Sequence, residues 1–150
     1  MIAVIQRVSE ASVTIDDKIN GKIDNGFLVL LGITHADTQE DTEWLGRKII
    51  GMRIFSDPEG KMNLDLAATN GNILLISQFT LHASTKKGNR PSFTEAARPE
   101  AAIPLYGQMI TFLEKELGKP IQCGKFGADM KVALVNDGPV TIVIDSRNRI

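Results

Sequence analysis

A chain of 150 residues, 43% of them hydrophobic and none in a low-complexity stretch, is long enough to bury one core, and a single domain over residues 1–150 is expected. Its 17 Lys and Arg against 18 Asp and Glu leave a net charge of -1, which excludes the broad basic field of a protein that wraps nucleic acid; any RNA contact must be local. A lone cysteine, Cys123, excludes an intramolecular disulfide, the first residues lack the apolar core of a signal peptide, and no apolar run approaches the roughly 20 residues of a membrane span, so a cytoplasmic protein is expected.

Residues 2–8, 11–15, 19–23 and 27–33 read as successive strands, separated by Asp16-Asp17 and by the strong Asn25-Gly26 turn signal. Asp37 with Glu40 three residues later reads as a capping box. It opens a helix in which Leu45, Ile49 and Met52 recur at helical spacing and which ends near Gly51. A short strand around residues 52–55, the turn Asp57-Pro58-Glu59-Gly60 and an apolar strand over residues 73–79 come next. A second helix starts at Pro99 or Pro104 and runs to Leu117, with Leu105, Met109, Phe112, Leu113 and Leu117 as a core-packing stripe and Gly118 and Pro120 as stop signals. Strands around residues 131–135 and 140–144, joined by Asn136-Asp137-Gly138, complete the chain. Strands in runs with helices interposed twice predict an α+β fold rather than a doubly wound one.

Two histidines and one cysteine, all far apart, give no metal-ligand spacing, and neither HExxH nor CxxC occurs, so no metal is expected. The phosphate loops GxxxxGK[ST] and GxGxxG and the nucleophile elbow GxSxG are also missing, and no cofactor is expected. Two short runs stand apart from scaffold. Ser77, Gln78, Phe79 and Thr80 follow a buried-looking strand, which delivers polar groups to the edge of a sheet. Gly138 and Pro139 precede the apolar stretch from Val140, where the chain needs a rigid bend and where a cis bond is conceivable. Thr80 and His82 fall on one face if that segment is extended, but neighbours at that spacing stand too far apart to bond, so His82 is expected to be dispensable. Lys86, Lys87 and Arg90, with Arg98 nearby, form a local cation cluster that reads either as a solvated loop or as an RNA contact.

The chain resembles the D-aminoacyl-tRNA deacylases, the D-tyrosyl-tRNA deacylase family of bacteria and eukaryotes, over nearly its whole length. The resemblance is carried by Val4, Ile5, Gln6, Arg7 and Val8, by Ala11, Ser12, Val13 and Thr14, by residues 28–32, by Ser77 to Leu81, and by Arg90, Pro91, Ser92 and Phe93. Most specific are Gly124, Lys125, Phe126, Gly127, Ala128, Asp129 and Met130, followed by Asn136, Asp137, Gly138, Pro139, Val140 and Thr141.

This resemblance implies a barrel-like arrangement of mixed, mostly antiparallel sheets with two main helices, assembled as a homodimer. It implies hydrolysis of D-aminoacyl-tRNA at its 3′ end, and of glycyl-tRNA as well, a proofreading activity in translation quality control that spares L-aminoacyl groups. Ser77, Gln78, Phe79 and Thr80 of one subunit would act with a cis Gly138-Pro139 dipeptide of the other, braced by Arg7. A locked backbone suits this task, because a rigid obstacle rejects the wrong enantiomer where a mobile side chain yields. Phe126 would pack on the terminal adenine, Met130 would line the amino-acid side, and the backbone N–H groups of Phe79 and Thr80 would hold the carbonyl oxygen. The resemblance implies assistance from the 2′-hydroxyl of the terminal adenosine, with Thr80 as an orienting group; a threonine nucleophile is the rival. Without the resemblance, a non-catalytic nucleic-acid-binding module or a small metabolite-binding or assembly protein fits the residues too.

Overall fold

The computed structural model describes the whole chain, Met1–Ile150. The element order is β1 (Ile2–Ile15), β2 (Lys18–Ile23), β3 (Gly26–Gly32), α1 (Gln39–Ile50), β4 (Phe55–Ser56), β5 (Met62–Leu64), β6 (Asn72–Ser77), α2 (Pro99–Leu117), β7 (Gln122–Cys123) and β8 (Lys131–Asp145). A 3₁₀ turn, Phe79–His82, follows β6 directly.

Strands β2, β1, β3, β6 and β7 lie side by side in that order, and β8 runs along the other edge of β1. Both β1–β2 and β1–β3 are antiparallel, whereas β3–β6 and β6–β7 are parallel, as their helix-containing crossovers require. The first half of β1 pairs with β3 and the second half with β2, so the sheet curls. The Asn20 side chain donates to the Cys123 carbonyl at 2.8 Å, which brings β2 round towards β7 and nearly closes a barrel-like mixed sheet. The fold is thus α+β with two main helices, as expected.

Side-chain alternation sorts the sheet into two layers. Ile73 and Leu75 of β6 join Ile5, Phe27, Val29 and Leu31 under the helices, where Leu45, Ile49, Met109 and Leu113 cover them. Leu74 and Ile76 point the other way, into the barrel, with Val8, Val13, Ile23 and Leu28. Strand β6 is therefore apolar on both faces, which is why its sequence reads as a continuous apolar run.

Five local features differ from expectation; in the first, the strand expected over residues 73–79 stops at Ser77, because the chain winds into the 3₁₀ turn from Phe79. The stretches 2–8 and 11–15 form one strand, β1, because Ser9 and Glu10 are exposed polar residues that need no turn while β8 pairs along both halves. The stretches 131–135 and 140–144 likewise form one strand, β8. Only Phe55–Ser56 of the expected strand at 52–55 is extended, paired to β5. The capping box lies one residue later: Thr38 is the N-cap of α1, and its N–H donates to the Asp41 carboxylate at 2.9 Å. Asp37 has other partners. It lies 2.6 Å from the buried Met1 ammonium and accepts from the Thr34 N–H at 2.8 Å. Ser146 Oγ bridges the same cluster, donating to Asp41 at 2.7 Å. Burial alone would raise the Asp41 carboxyl, but the bonds from Ser146 and Thr38 and the charges of Met1 and Arg147 outweigh it and hold the group below the usual aspartate value. The second helix starts at Pro99, with Pro104 tolerated inside it on an exposed face, and stops at Gly118, whose φ of 75° is left-handed.

Candidate active site

The parallel ladder of β3 and β6 ends at Leu31 and Ser77, and the Gln78 N–H donates to the Leu31 carbonyl at 2.8 Å, prolonging it by one bond. The chain then winds into the 3₁₀ turn, directly over Gly32. A Cβ on Gly32 would lie 2.9 Å from Leu81 Cβ and 3.1 Å from the Gln78 carbonyl oxygen, so the turn can sit this close only to glycine. Ser77, Gln78 and Phe79 consequently face a cavity of about 260 Å³, closed opposite by Phe126, Met130 and Val132. Thr80 stands beside it, its Oγ1 accepting a 2.5 Å hydrogen bond from Gln78 Nε2.

Behind the cavity, β6 is tied to its neighbours. The Gly124 N–H donates to the Leu75 carbonyl at 3.0 Å, and the buried Tyr106 hydroxyl of α2 donates to the same carbonyl at 3.0 Å. Burial pushes the Tyr106 phenol far up, with Cys123 adding to the effect, so it remains a donor at all ordinary pH values. Its ring lies 6.0 Å from that of Phe126, which carries this order to the cavity wall. Burial likewise raises the Cys123 thiol, with Glu114 contributing, and so leaves it an unreactive partner of the packing.

A second constellation surrounds Arg7. Gln6 pairs with Thr141 and Val8 with Asn136, so residues 137–140 bulge from β8 opposite the single residue Arg7. Arg7 Nε donates to the Asp137 carbonyl at 3.0 Å, and its Nη1 donates to the Ile54 carbonyl at 2.6 Å. The Asp137 carboxylate, 3.7 Å away, adds an ion pair. Within the bulge the Gly138–Pro139 bond is cis and Gly138 has a φ of 134°; a Cβ there would meet Val140 Cγ2 at 2.8 Å and Arg7 Nη2 at 3.0 Å. Gly138 and Pro139 are exposed and do not line the cavity of their own chain. The structure thus gathers Ser77, Gln78, Phe79, Phe126 and Met130 at one place, with Thr80 alongside, and Arg7, Gly138 and Pro139 at another.

The segment holding Thr80 and His82 is not extended, as one sequence reading supposed, but a 3₁₀ turn. His82 Nε2 is buried without a hydrogen-bond partner, and the Thr80 hydroxyl is engaged by Gln78 instead. No relay joins the two. No group of three His, Cys, Asp or Glu side chains is placed to hold a metal ion. Sequence reasoning missed three contributors. Tyr106 lies in the second helix but outside the stripe predicted there, and the Ile54 carbonyl has no sequence signature. Phe93, named only among the residues that carry the resemblance and given no role, packs edge-on against Phe79 at 5.2 Å.

Comparison with known proteins decides what this arrangement belongs to. Residues 4–145 match the profile of the family described as D-Tyr-tRNA(Tyr) deacylase. The chain belongs to that family. D-aminoacyl-tRNA deacylases from Cytophaga hutchinsonii and Flavobacterium psychrophilum are 64% and 60% identical to it, each match covering 99% of both chains. Among solved structures, one described as c-Myc DNA unwinding element binding protein superimposes with a TM-score of 0.89 at 43% identity, over 97% of this chain and 98% of that one. Another, described as a probable eukaryotic D-amino acid tRNA deacylase, gives a TM-score of 0.82 at 17% identity over 95% and 97%, a likeness of fold. As a member of the deacylase family the chain is an ester hydrolase, and none of its helices is long and apolar enough to cross a membrane.

Proposed function

We propose that the chain, acting as one domain over residues 1–150, removes D-amino acids from the 3′ end of tRNA in the cytoplasm and spares L-aminoacyl esters. The observation that carries this reading is the cavity of about 260 Å³ walled by the polar end of β6 on one side and by Phe126 and Met130 on the other. Such a space suits an aminoacyl group joined to a nucleoside, with polar groups at the ester and apolar ones around it. Phe126 packs against the terminal adenine and Met130 lines the amino-acid side.

The ester of an aminoacyl-tRNA is already activated, so positioning and charge stabilisation suffice, and the reading requires neither metal nor cofactor. Phe79 and Thr80 open a 3₁₀ turn, and the first N–H groups of such a turn lack partners within it. They hold the oxygen of the ester carbonyl as water adds to its carbon. The carbon–oxygen bond to the ribose then breaks, the ribose oxygen takes a proton, and the 2′-hydroxyl of the terminal adenosine assists that transfer. Ser77 and Gln78 shape the pocket, and Gln78 fixes Thr80 as an orienting group.

Chiral selection comes from a second copy of the chain. Ile19, Leu134, Val135 and Val143 are 65%, 36%, 49% and 64% exposed on β2 and β8, an apolar surface along a long edge strand that suits burial in a homodimer. In that dimer the Gly138-Pro139 bulge of the partner closes each cavity, with Arg7 holding it where an L side chain would lie. The achiral glycyl group carries no side chain to be refused, so glycyl-tRNA is also cleaved.

Deacylation of matched D- and L-tyrosyl-tRNA by the purified protein, followed against spontaneous hydrolysis, tests this. Rapid loss of the D-ester alone is expected. Equal cleavage of both would remove the chiral sieve, and cleavage of neither would overturn the assignment.

A further inference from the structure

The segment that follows the 3₁₀ turn carries positive charge with almost no counter-charge. Lys86, Lys87, Arg90 and Arg98 are exposed, and Glu95 is the single acid between residues 83 and 98. Ion pairs elsewhere engage Arg7, Arg47, Lys61, Lys131, Arg147 and Arg149, yet none reaches these four cations. The segment is nevertheless held in place. Ser84 and Ser92 exchange backbone hydrogen bonds of 2.8 and 2.9 Å, which makes residues 85–91 a hairpin with a fixed base. Thr34 Oγ1 donates to the Glu95 carbonyl at 2.6 Å, and the Ala97 N–H donates to the Ile33 carbonyl at 2.9 Å.

A second observation points to the same ligand. Phe79, at the cavity, and Phe93, at the foot of the hairpin, are 54% and 37% exposed although they pack edge to face. Two aromatic rings left open to solvent beside free cations make the pairing used for single-stranded nucleic acid, bases on the rings and phosphates on the cations. Arg90 is three residues from Phe93, at most about 10 Å along an extended chain. Phosphates just upstream of a nucleoside in the cavity therefore lie within its reach.

We propose that residues 84–98 are a dock for the unpaired 3′ strand of the RNA substrate, in which Phe93 and Phe79 stack the base before the terminal one and Lys86, Lys87 and Arg90 neutralise successive phosphates. This rests on the deacylase reading of the cavity. Such a dock works through phosphate and stacking contacts, and it reconciles a neutral chain with an RNA substrate.

Two measurements test it. In the first, a fluorescent RNA hairpin with an unpaired 3′ tail is titrated with protein over a range of salt. The log–log salt slope for the wild type is expected near -2, from about -0.7 for each of three single-strand phosphates, and near zero for K86Q/K87Q/R90Q. K86R/K87R should keep the wild-type slope, and F93A should weaken binding about 10-fold. In the second, kcat/KM for D-aminoacyl-tRNA is divided by that for D-aminoacyl-adenosine. The triple variant should lower this ratio about 10- to 100-fold through KM. An unchanged slope and ratio in the triple variant would overturn the dock and leave the hairpin to a protein partner or to solvent. A loss equal on both esters would overturn it too, by placing the cations at the ester itself. Failure of the wild type to cleave either ester strikes instead at the deacylase reading, while the binding titration still decides the dock.

Discussion

Arg7→Ala removes one side chain from two carbonyls and a carboxylate, and the three losses differ in size. The Ile54 carbonyl is partly buried and accepts at 2.6 Å from a charged donor, a bond worth about 1.5–3 kcal/mol. The Asp137 carbonyl accepts at 3.0 Å but is exposed, so water replaces most of that bond, at a cost of about 0.5–1 kcal/mol. The ion pair adds little, because it spans 3.7 Å to a carboxylate that is 59% exposed. The sum is about 2–4 kcal/mol, or about 5–15 °C in Tm for a chain of this length. Thermal unfolding reads it directly, and the ratio of D- to L-tyrosyl-tRNA cleavage reads whether the bulge has lost its place. Arg7→Lys should fall between, because an ammonium cannot fork to both carbonyls. A Tm within about 1 °C of wild type for Arg7→Ala, well below the change worked out above, would refute the brace.

Thr80→Val separates orientation from attack: a loss of turnover below about 10-fold is expected for a hydroxyl that positions, whereas about 10³ would mark it as the nucleophile. A substrate ending in 2′-deoxyadenosine should then be inert. His82→Leu should leave turnover unchanged and Tm equal or higher, because it replaces a buried, unpartnered Nε2 with carbon; a fall in turnover of about 10³ would give the imidazole a role. Asp41 titrates below its ordinary 3.8 in the folded chain, so the unfolded chain takes up the proton first as pH falls. Its contribution is full above that value and is lost on acidification through and below it. Asp41→Asn should therefore be less stable near neutrality and show a flatter Tm profile between about pH 5 and pH 3, and parallel profiles would rule the mechanism out.

Legibility followed the range of the forces involved. The strands β3 and β6 and the stop at Gly118 rest on local apolar runs and on a left-handed cap, so their positions were readable. Asn136, Asp137 and Gly138 look like a turn between two strands. Only pairing with β1, more than a hundred residues away, makes them a bulge inside one strand. Asp37 offered a plausible cap, yet the Met1 ammonium claims its carboxylate and Asp41 caps Thr38 in its place. At the site, Ser77, Gln78 and Thr80 announced themselves as polar residues following an apolar strand. Tyr106 did not, because a tyrosine whose hydroxyl reaches across to Leu75 looks in sequence like any other member of a helix face.

The 3₁₀ turn proposed to meet the ester follows β6, a strand buried on both faces and flanked by two parallel neighbours. Substitutions deep in either core layer, far from any substrate, therefore reach the site as small displacements of Ser77 and Gln78. If selection works by refusal, as proposed, it feels such displacements before the fold does. Over long evolutionary drift, lapses in discrimination should precede loss of solubility or expression, and the interior of this protein should change more slowly than its stability alone demands.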